Sequence, residues 1–283
     1  MTNTALQSFE HQLGGHKKLL SMNDGSILVK PSNTIEREFY ENSVLYPEFA
    51  QWIPRYFGSL QLQGVQSQLA TIATNIVDSV EANGTVGGVG SGEGTICIEN
   101  ITCKFKKPCM LDLKLGIVLY GPDADEAKRQ KMIKKAESST SSTLGIRITA
   151  MKVYEKSKNS FIIYPREFGY SLTKDTVFSG FAKYFDVLQD SPPHNLRSVV
   201  IKRFIDDLQE FHKVLENHEL RLHSASLLFV YEGDEKVLAD ALEQEKQQGD
   251  IGGKKPNTGI GRDEGCLLGL NNTINYLRQL LVH

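Results

Sequence analysis

The segment at residues 107–120 limits the possible folds more than any other part of the sequence. Its charged and apolar side chains alternate, which is the pattern of a half-buried β-strand. Asp112 and Lys114 fall on one face of this strand. The opposite face carries Leu111, Leu113 and Leu115. The sequence therefore predicts a rigid strand whose back is buried and whose front holds an acid beside a base.

A helical pattern at residues 123–137 follows this strand, beginning acidic and becoming strongly basic. Lys128, Lys131 and Lys135 are spaced i, i+3 and i+7, so their ammonium groups line one stripe of the helix. Arg129 adds a further cation. A solvated ion pair and a solvated helix face are the ordinary alternatives for such residues. Together, the strand and the helix favour a site for a heavily phosphorylated compound.

Composition excludes several classes of protein. With 283 residues, the chain suits one large domain or two lobes, and its 40% hydrophobic residues can supply a core. The formal net charge of −2 argues against a direct nucleic-acid binder, so any polyanion site must be local. The four cysteines lack zinc-site spacing, and no apolar run reaches the length of a membrane span. We expect an intracellular monomer with reduced thiols.

A strand at residues 26–30 ends in Lys30, and after a short loop comes a helix that Thr34 is predicted to cap. A strand lysine followed by a helix glutamate is the arrangement with which protein kinases hold nucleotide phosphates. Glu36 is the favoured partner of Lys30. Glu38 remains its competitor, because positions i and i+2 of a helix cannot both face one lysine.

Three motifs resemble those of a known family. The pattern P-x-x-x-D-x-K-x-G within residues 108–116 resembles the signature of the inositol polyphosphate kinases. Its fixed positions are Pro108, Asp112, Lys114 and Gly116. Residues 226–233, S-L-L-F-V-Y-E-G, resemble the second signature of the family, and residues 169–174 resemble its G-x-S-L-T-K element. The resemblance extends over most of the chain.

The resemblance implies an α+β protein with the two-lobed fold of this family, similar to protein kinases and ATP-grasp enzymes, with antiparallel sheets and packed helices. Residues 1–100 would form an ATP-binding N-terminal lobe, with a flexible glycine-rich insertion at 61–94. Residues 101–283 would form the C-terminal lobe, in which the helix at 123–137 binds the inositol phosphate.

The resemblance also implies roles for individual residues. The residues that bind ATP would be Lys30, Glu36, Glu99, Ile101, Asp112 and Ser226. Among them, Asp112 would contact the ribose, while Glu99 and Ile101 would lie at the hinge beside the adenine. Lys114 and Asp112 would be the catalytic residues, with Lys114 stabilising the transferred phosphoryl group. The substrate phosphates would be bound by Lys114, Lys128, Arg129, Lys131, Lys135 and Arg166.

The chain departs from the family in one respect. The third family signature, I-D-F, supplies an aspartate that binds the magnesium ion bridging the ATP phosphates, and this sequence does not contain it. Residues 232–255 are instead an acidic, Gln- and Lys-rich stretch that we predict to be flexible. Asp250 and Asp263 are the candidates to replace the aspartate, and missing residues are favoured over a natural loss of the strand. The metal ligand is left unassigned.

The expected function is the ATP- and Mg²⁺-dependent phosphorylation of hydroxyls on soluble inositol phosphates, from the trisphosphate to the tetrakis- and pentakisphosphates. Within the family a fungal-type multikinase is favoured, because about a dozen residues separate Gly116 from the basic stripe and leave no room for a long substrate lid. The alternatives are a hexakisphosphate kinase and a non-catalytic inositol-phosphate-binding module, such as a transcriptional co-regulator with transcription-factor partners. We expect the protein in the nucleus and the cytoplasm.

Overall fold

The computed structural model describes residues 6–13, 18–22, 24–60, 94–188, 195–248 and 263–282. The chain divides into two compact units, residues 1–103 and 104–283. This division lies close to the lobe boundary expected after residue 100. Within the described ranges, no helix is both long and apolar enough to cross a membrane.

The first unit is built on a five-stranded antiparallel sheet with the strand order β1-β2-β3-β5-β4. The strands are β1 (Leu6–Ser8), β2 (Leu20–Met22), β3 (Ile27–Ser32), β4 (Tyr56–Leu60) and β5 (Gly94–Glu99). The helices among its described residues are α1 (Thr34–Asn42) and α2 (Pro47–Ala50), with a 3₁₀ turn at Ser43–Leu45 between them. Leu28, Ile96 and Ile98 pack against Tyr40 of α1 and form one core cluster.

The N-cap of helix α1 lies one residue earlier than predicted. Asn33 rather than Thr34 is the N-cap, because the Asn33 side chain accepts a hydrogen bond from the backbone N–H of Glu36 at 2.8 Å. Asparagine and threonine are both good caps, so the sequence alone did not separate them. The cap fixes the first turn of α1 and with it the position of Glu36.

The second unit is built on a four-stranded antiparallel sheet with the strand order β8-β7-β6-β9. Its strands are β6 (Pro108–Leu115), β7 (Ile146–Glu155), β8 (Ser160–Tyr164) and β9 (Ser226–Glu232). The helices are α3 (Glu126–Glu137), α4 (Ser141–Leu144), α5 (Arg166–Ser171), α6 (Val177–Phe185), α7 (Leu196–Asn217), α8 (Glu235–Gln248) and α9 (Glu264–Leu280). The two units together confirm the predicted α+β class with antiparallel sheets.

One face of the second sheet forms the main core. The leucines at positions 111, 113 and 115 of β6 are almost completely buried. Tyr184 of α6 is fully buried, and its hydroxyl donates to the carbonyls of Cys109 and Phe229 at 3.1 and 2.9 Å. The Tyr231 hydroxyl in turn donates to the Tyr184 carbonyl at 2.5 Å. These buried bonds tie α6 to β6 and β9 and make the central strands rigid.

Two predicted segments differ from the structure. Helix α3 begins at Glu126 instead of residue 123, because Asp125 caps it by accepting from the backbone N–H of Lys128 at 2.7 Å. The prediction that residues 232–255 are flexible was wrong for the part that forms α8, which buries Leu238 and Leu242. The predicted insertion at 61–94 lies outside the described residues, apart from Gly94.

Candidate active site

Strand β6 places Asp112 and Lys114 on the face of the sheet opposite the leucine core, as predicted. The two neighbouring strands add side chains to this face, because residues paired in an antiparallel sheet point to the same side. Lys114 is paired with Arg147 of β7 and with Ser226 of β9. Asp112 is paired with Leu228 of β9. We call Asp112, Lys114, Arg147 and Ser226 the polar face.

Asp112 is held in an environment that disfavours its charge. Burial raises the pKa of the Asp112 carboxyl, although a hydrogen bond from Ser226 and the positive charges of Lys114 and Arg147 act in the opposite direction. Its Oδ1 atom is buried, and no hydrogen-bond partner for it lies among the described residues. A buried acceptor without a partner costs free energy, so a ligand hydroxyl that formed a hydrogen bond with Oδ1 would recover part of that cost.

Lys114 is oriented by the backbone of the opposite loop. Its Nζ donates a hydrogen bond to the carbonyl of Ser224, just before β9. Gly116 completes the turn that follows, with φ of 96°, and its N–H donates to the Gly145 carbonyl at 2.8 Å. A Cβ at this position would lie 3.3 Å from the Cys266 sulfur and would strain the backbone. The fixed glycine of the motif therefore has a structural reason.

Arg147 is a member of the polar face that sequence reasoning did not single out. The residue is 4% exposed, and its guanidinium lies over the Tyr170 ring at 4.8 Å from the centroid. Burial lowers the pKa of Arg147, while the Asp112 charge raises it. A charged residue between Ile146 and Ile148 in a strand pattern was the available signal, since buried arginines are rarely without a function or a partner.

A chain of contacts joins the polar face to the end of the basic helix α3. One Arg147 nitrogen donates to the Ser139 hydroxyl at 3.4 Å, and that hydroxyl donates to the Lys135 carbonyl at 2.9 Å. Lys128 and Lys131 are exposed and Lys135 is half-buried. Within the described part of the chain, no carboxylate lies within ion-pair distance of these three lysines. Their charges are therefore available to an anionic ligand.

Arg129 has a different role from the lysines of α3. Its guanidinium turns back and donates to the carbonyls of Ala124 and Pro122, at 2.8 and 3.1 Å. It also lies 6.0 Å from the centroid of the Tyr120 ring. These contacts hold the loop that leads into the helix. The predicted role of Arg129 in binding substrate phosphates therefore has no support from its contacts.

The contacts described for Arg166 likewise do not include a residue of the polar face. Its Nε pairs with Glu167 at 2.9 Å, and both side chains are about two-thirds exposed. The hydrogen bonds and ion pair described for Arg166 are made to Glu167 and not to Asp112 or Lys114. The arginine that the fold brings to the acid–lysine strand is Arg147, because strand register and not sequence order decides which residues become neighbours.

In the first unit, Lys30 of β3 forms an ion pair with Glu36 of α1, and both side chains are about one-third exposed. Glu38 is exposed, so the structure selects Glu36 from the two candidates. At the end of β5, Glu99 accepts from the N–H of Arg55 at 3.3 Å and donates its own N–H to the Arg55 carbonyl at 2.8 Å. Ile101 lies in the turn that follows, immediately before the boundary between the two units.

A metal centre is not formed by the described residues, among which no group of three or more His, Cys, Asp or Glu side chains could hold an ion. Both carboxylate oxygens of Asp263 accept hydrogen bonds from backbone N–H groups. Oδ1 accepts from Cys266 N and caps α9, while Oδ2 accepts from Leu222 N, each at 3.1 Å. Asp263 is therefore a structural cap and not a free metal ligand. Asp250, the other candidate, lies outside the described residues.

Comparison with known proteins identifies the family. A family model described as inositol polyphosphate kinase matches residues 95–278. The inositol polyphosphate multikinase of Saccharomyces cerevisiae is 31% identical over 261 residues, covering 80% of this chain and 72% of the relative. The Schizosaccharomyces pombe multikinase is 29% identical over 236 residues, covering 80% of each chain. Rat inositol hexakisphosphate kinase 2 is 33% identical, but over 50% of this chain and 32% of the relative.

A solved structure supports the same assignment. The crystal structure of the inositol phosphate multikinase Ipk2 from S. cerevisiae, in complex with ADP and Mn²⁺, has a TM-score of 0.69 and 25% sequence identity, and the match covers 91% of this chain and all of that chain. The fold and the sequence agree on the class of protein. The chain belongs to the inositol polyphosphate kinase family, which confirms the resemblance seen in its motifs, and its fungal multikinase relatives match it over most of their length.

Proposed function

We propose that this protein transfers phosphate from ATP to hydroxyls of soluble inositol phosphates, with the broad range of a multikinase. The observation that carries the proposal is the polar face, where a buried carboxylate with an unpaired acceptor oxygen lies beside a lysine and a buried arginine. The multikinase relatives cover most of this chain, whereas rat hexakisphosphate kinase 2 matches half of it. That difference favours the trisphosphate as the first acceptor and the tetrakis- and pentakisphosphates as products.

Residues of each unit have a defined task toward the nucleotide. In the first unit, Lys30 would neutralise ATP phosphates while Glu36 holds its side chain in position, and the segment that contains Glu99 and Ile101 would lie beside the base. In the second unit, the Asp112 Oδ1 would accept a ribose hydroxyl and Ser226 would keep the carboxylate oriented. The multikinase structure with bound ADP supports a nucleotide ligand for this fold.

The cations of the second unit suit the phosphorylated acceptor. Lys114 and Arg147 would face the transferred phosphoryl group, where fixed positive charge lowers the barrier most. Lys128 and Lys131 of α3 would bind other phosphates of the acceptor through charge-assisted contacts, with Lys135 adding to the local charge. Phosphoryl transfer of this kind depends on positioning and charge neutralisation more than on a strong base.

ATP is used as its magnesium complex in phosphoryl transfer, where the metal neutralises charge between the β- and γ-phosphates. The described residues do not supply a cluster that fits this ion. We therefore derive no catalytic step through a protein-bound metal. One other function, a non-catalytic module that binds inositol phosphates on the lysines of α3, is favoured by the lack of the I-D-F signature in the sequence and by the exposed charges of Lys128 and Lys131.

A Lys114→Ala substitution tests the kinase proposal. With ATP, magnesium and inositol trisphosphate, ADP production should fall on the order of 100-fold or more, because a preorganised donor to the transferred group is lost. The exposed Lys213→Ala change on α7 is the matched control and should keep wild-type turnover. Equal turnover by wild type and Lys114→Ala would refute the role of this lysine.

Calorimetric titration with inositol trisphosphate and hexakisphosphate separates the remaining alternatives. Binding without ADP production by the wild-type protein would identify the non-catalytic module. Turnover with the hexakisphosphate but not with the trisphosphate would instead identify a hexakisphosphate kinase. Turnover with the trisphosphate, accompanied by tetrakis- and pentakisphosphate products, would support the multikinase.

We propose in addition that the protein acts as a monomer in the nucleus and the cytoplasm, with transcription factors as possible regulatory partners. A soluble acceptor that both compartments can share supports this location. Light scattering of the purified protein should give a mass near 31.6 kDa, and a dimer mass would contradict it. Imaging of a fluorescent fusion and affinity capture from nuclear extract test the location and the partners.

A further inference from the structure

Ser224 has an unusual backbone conformation for its residue type. Its φ is 56°, in the left-handed region that residues with a Cβ adopt only at a cost. The other non-glycine residues with positive φ in the described chain are Asn159 and Asn195, and asparagine tolerates this region well. A serine held there needs an explanation in its surroundings, because such conformations persist only where neighbouring contacts fix them.

The contacts of Ser224 give that explanation. Its carbonyl accepts the hydrogen bond from the Lys114 Nζ, and its hydroxyl donates to the Leu119 carbonyl at 2.7 Å. Leu119 lies in the loop after β6, so Ser224 contacts both the lysine and the segment that leads from it toward α3. The neighbouring Ala225 carbonyl accepts from Leu115 N at 3.0 Å and keeps the two chains in register.

We infer that Ser224 is a positioning residue, whose left-handed backbone turns its carbonyl toward the Lys114 ammonium and so aims that group. The inference rests on the proposed function of Lys114 in phosphoryl transfer. An ammonium has three donors, so a bond to one fixed carbonyl orients the group without itself using all of them. A freely rotating lysine would lose side-chain entropy on reaching the transition state, and the Ser224 carbonyl reduces that loss in advance.

Two substitutions at this position separate the effect of the backbone conformation on catalysis from the effect of the hydroxyl group. Ser224→Val is β-branched and disfavours positive φ, so it should rotate the carbonyl away and lower kcat roughly tenfold. Ser224→Gly loses the hydroxyl but favours the same φ, so kcat should stay within about twofold of wild type. The KM for ATP should change little in either variant, because the effect is on the orientation of Lys114.

Asn159→Val provides the matched control in the same unit, at the turn between β7 and β8. It should lower the Tm much as Ser224→Val does and leave kcat unchanged, since the contacts described for Asn159 include Tyr154 and not Lys114. Equal losses of kcat in Ser224→Val and Asn159→Val would overturn the inference. A loss in Ser224→Gly as large as in Ser224→Val would overturn it as well.

Combination with Lys114→Ala distinguishes this inference from the proposed function. If Ser224 acts through Lys114, adding Ser224→Val to Lys114→Ala should reduce turnover no further, and a multiplied loss contradicts it. If Lys114→Ala alone keeps full turnover, the proposed role of Lys114 in phosphoryl transfer fails. The ammonium signal of Lys114 in ¹⁵N-lysine-labelled protein then still reports the contact, and it should change in Ser224→Val but not in Ser224→Gly. An unchanged signal in both variants would overturn the inference.

Discussion

The Asp112→Asn substitution should stabilise the protein while it impairs ATP use. Burial raises the pKa of Asp112 in the folded state, so the folded protein holds this proton more tightly than the unfolded chain does. Stability is therefore lost as the pH rises from the unfolded-state pKa, near 3.9, through the higher folded-state pKa. An amide of similar shape cannot ionise, so it should raise the free energy of unfolding at pH values above the folded-state pKa.

The size of the effect follows from the unpaired oxygen. A buried acceptor without a partner costs about 1–3 kcal/mol, and more when it is charged; the amide removes the charge but keeps a polar atom there, so we expect a gain of about 1 kcal/mol at pH 7. For a chain of this size, that gain raises the Tm by about 2–4 °C. The same change removes a charged acceptor, so kcat/KM for ATP should fall roughly 10- to 100-fold.

Thermal unfolding at pH 7 and pH 3, followed by circular dichroism, measures the stability, and initial rates at varied ATP measure the activity. The difference in Tm should vanish at pH 3, where both side chains are uncharged. Asp240→Asn, at an exposed position on α8, is the control for the loss of one negative charge. A lower Tm for Asp112→Asn at pH 7, or a gain that persists at pH 3, would refute the reasoning about burial.

Two further predictions concern the turn after β6 and the basic helix. Gly116→Ala should lower the free energy of unfolding by about 1–2 kcal/mol in calorimetry, because alanine is strained at a φ of 96°. The control Gly121→Ala should cost little, since its Cβ would meet only the side-chain carboxylate of Asp123. Equal Tm values for the two variants would contradict this prediction. Lys131→Ala should raise the KM for inositol trisphosphate roughly tenfold and leave kcat nearly unchanged. The increase in KM should be smaller at high salt, and the control Lys213→Ala should not raise the KM. An unchanged KM would remove Lys131 from the substrate site.

The sequence predicted the parts of the site that depend on local pattern. Alternation along β6 placed Asp112 and Lys114 opposite the leucine core, and the arrangement of a strand lysine before a helix glutamate predicted the pair of Lys30 with Glu36. Both predictions need only the geometry of one element or of two adjacent ones. They are correct because each buried face is specified by several consecutive residues.

The errors arose where few residues carry the signal. Helix α8 is mostly charged and amidic, and two leucines, Leu238 and Leu242, provide its buried contacts, so its composition resembled a solvated loop. Its first turn is fixed by Asp234, which accepts from the N–H groups of Lys236 and Val237. The role of Arg129 in binding substrate phosphates stays a prediction; its contacts with two carbonyls depend on the turn before α3, which spacing does not encode.

The position of Arg147 shows why the site could not be completed from sequence alone. Asp112 is paired with Ala150, and simple alternation from that pair would put Ile148 beside Lys114 and turn Arg147 toward the core. The register instead shifts between Asp112 and Leu113, so that β7 contains one extra residue, Thr149, and Arg147 is paired with Lys114. A single bulge therefore moves a cation from the core side to the polar face. Arg147 reaches the site through a local irregularity in the pairing of two strands that are more than 30 residues apart in the chain. The periodicity within either strand could not reveal this irregularity.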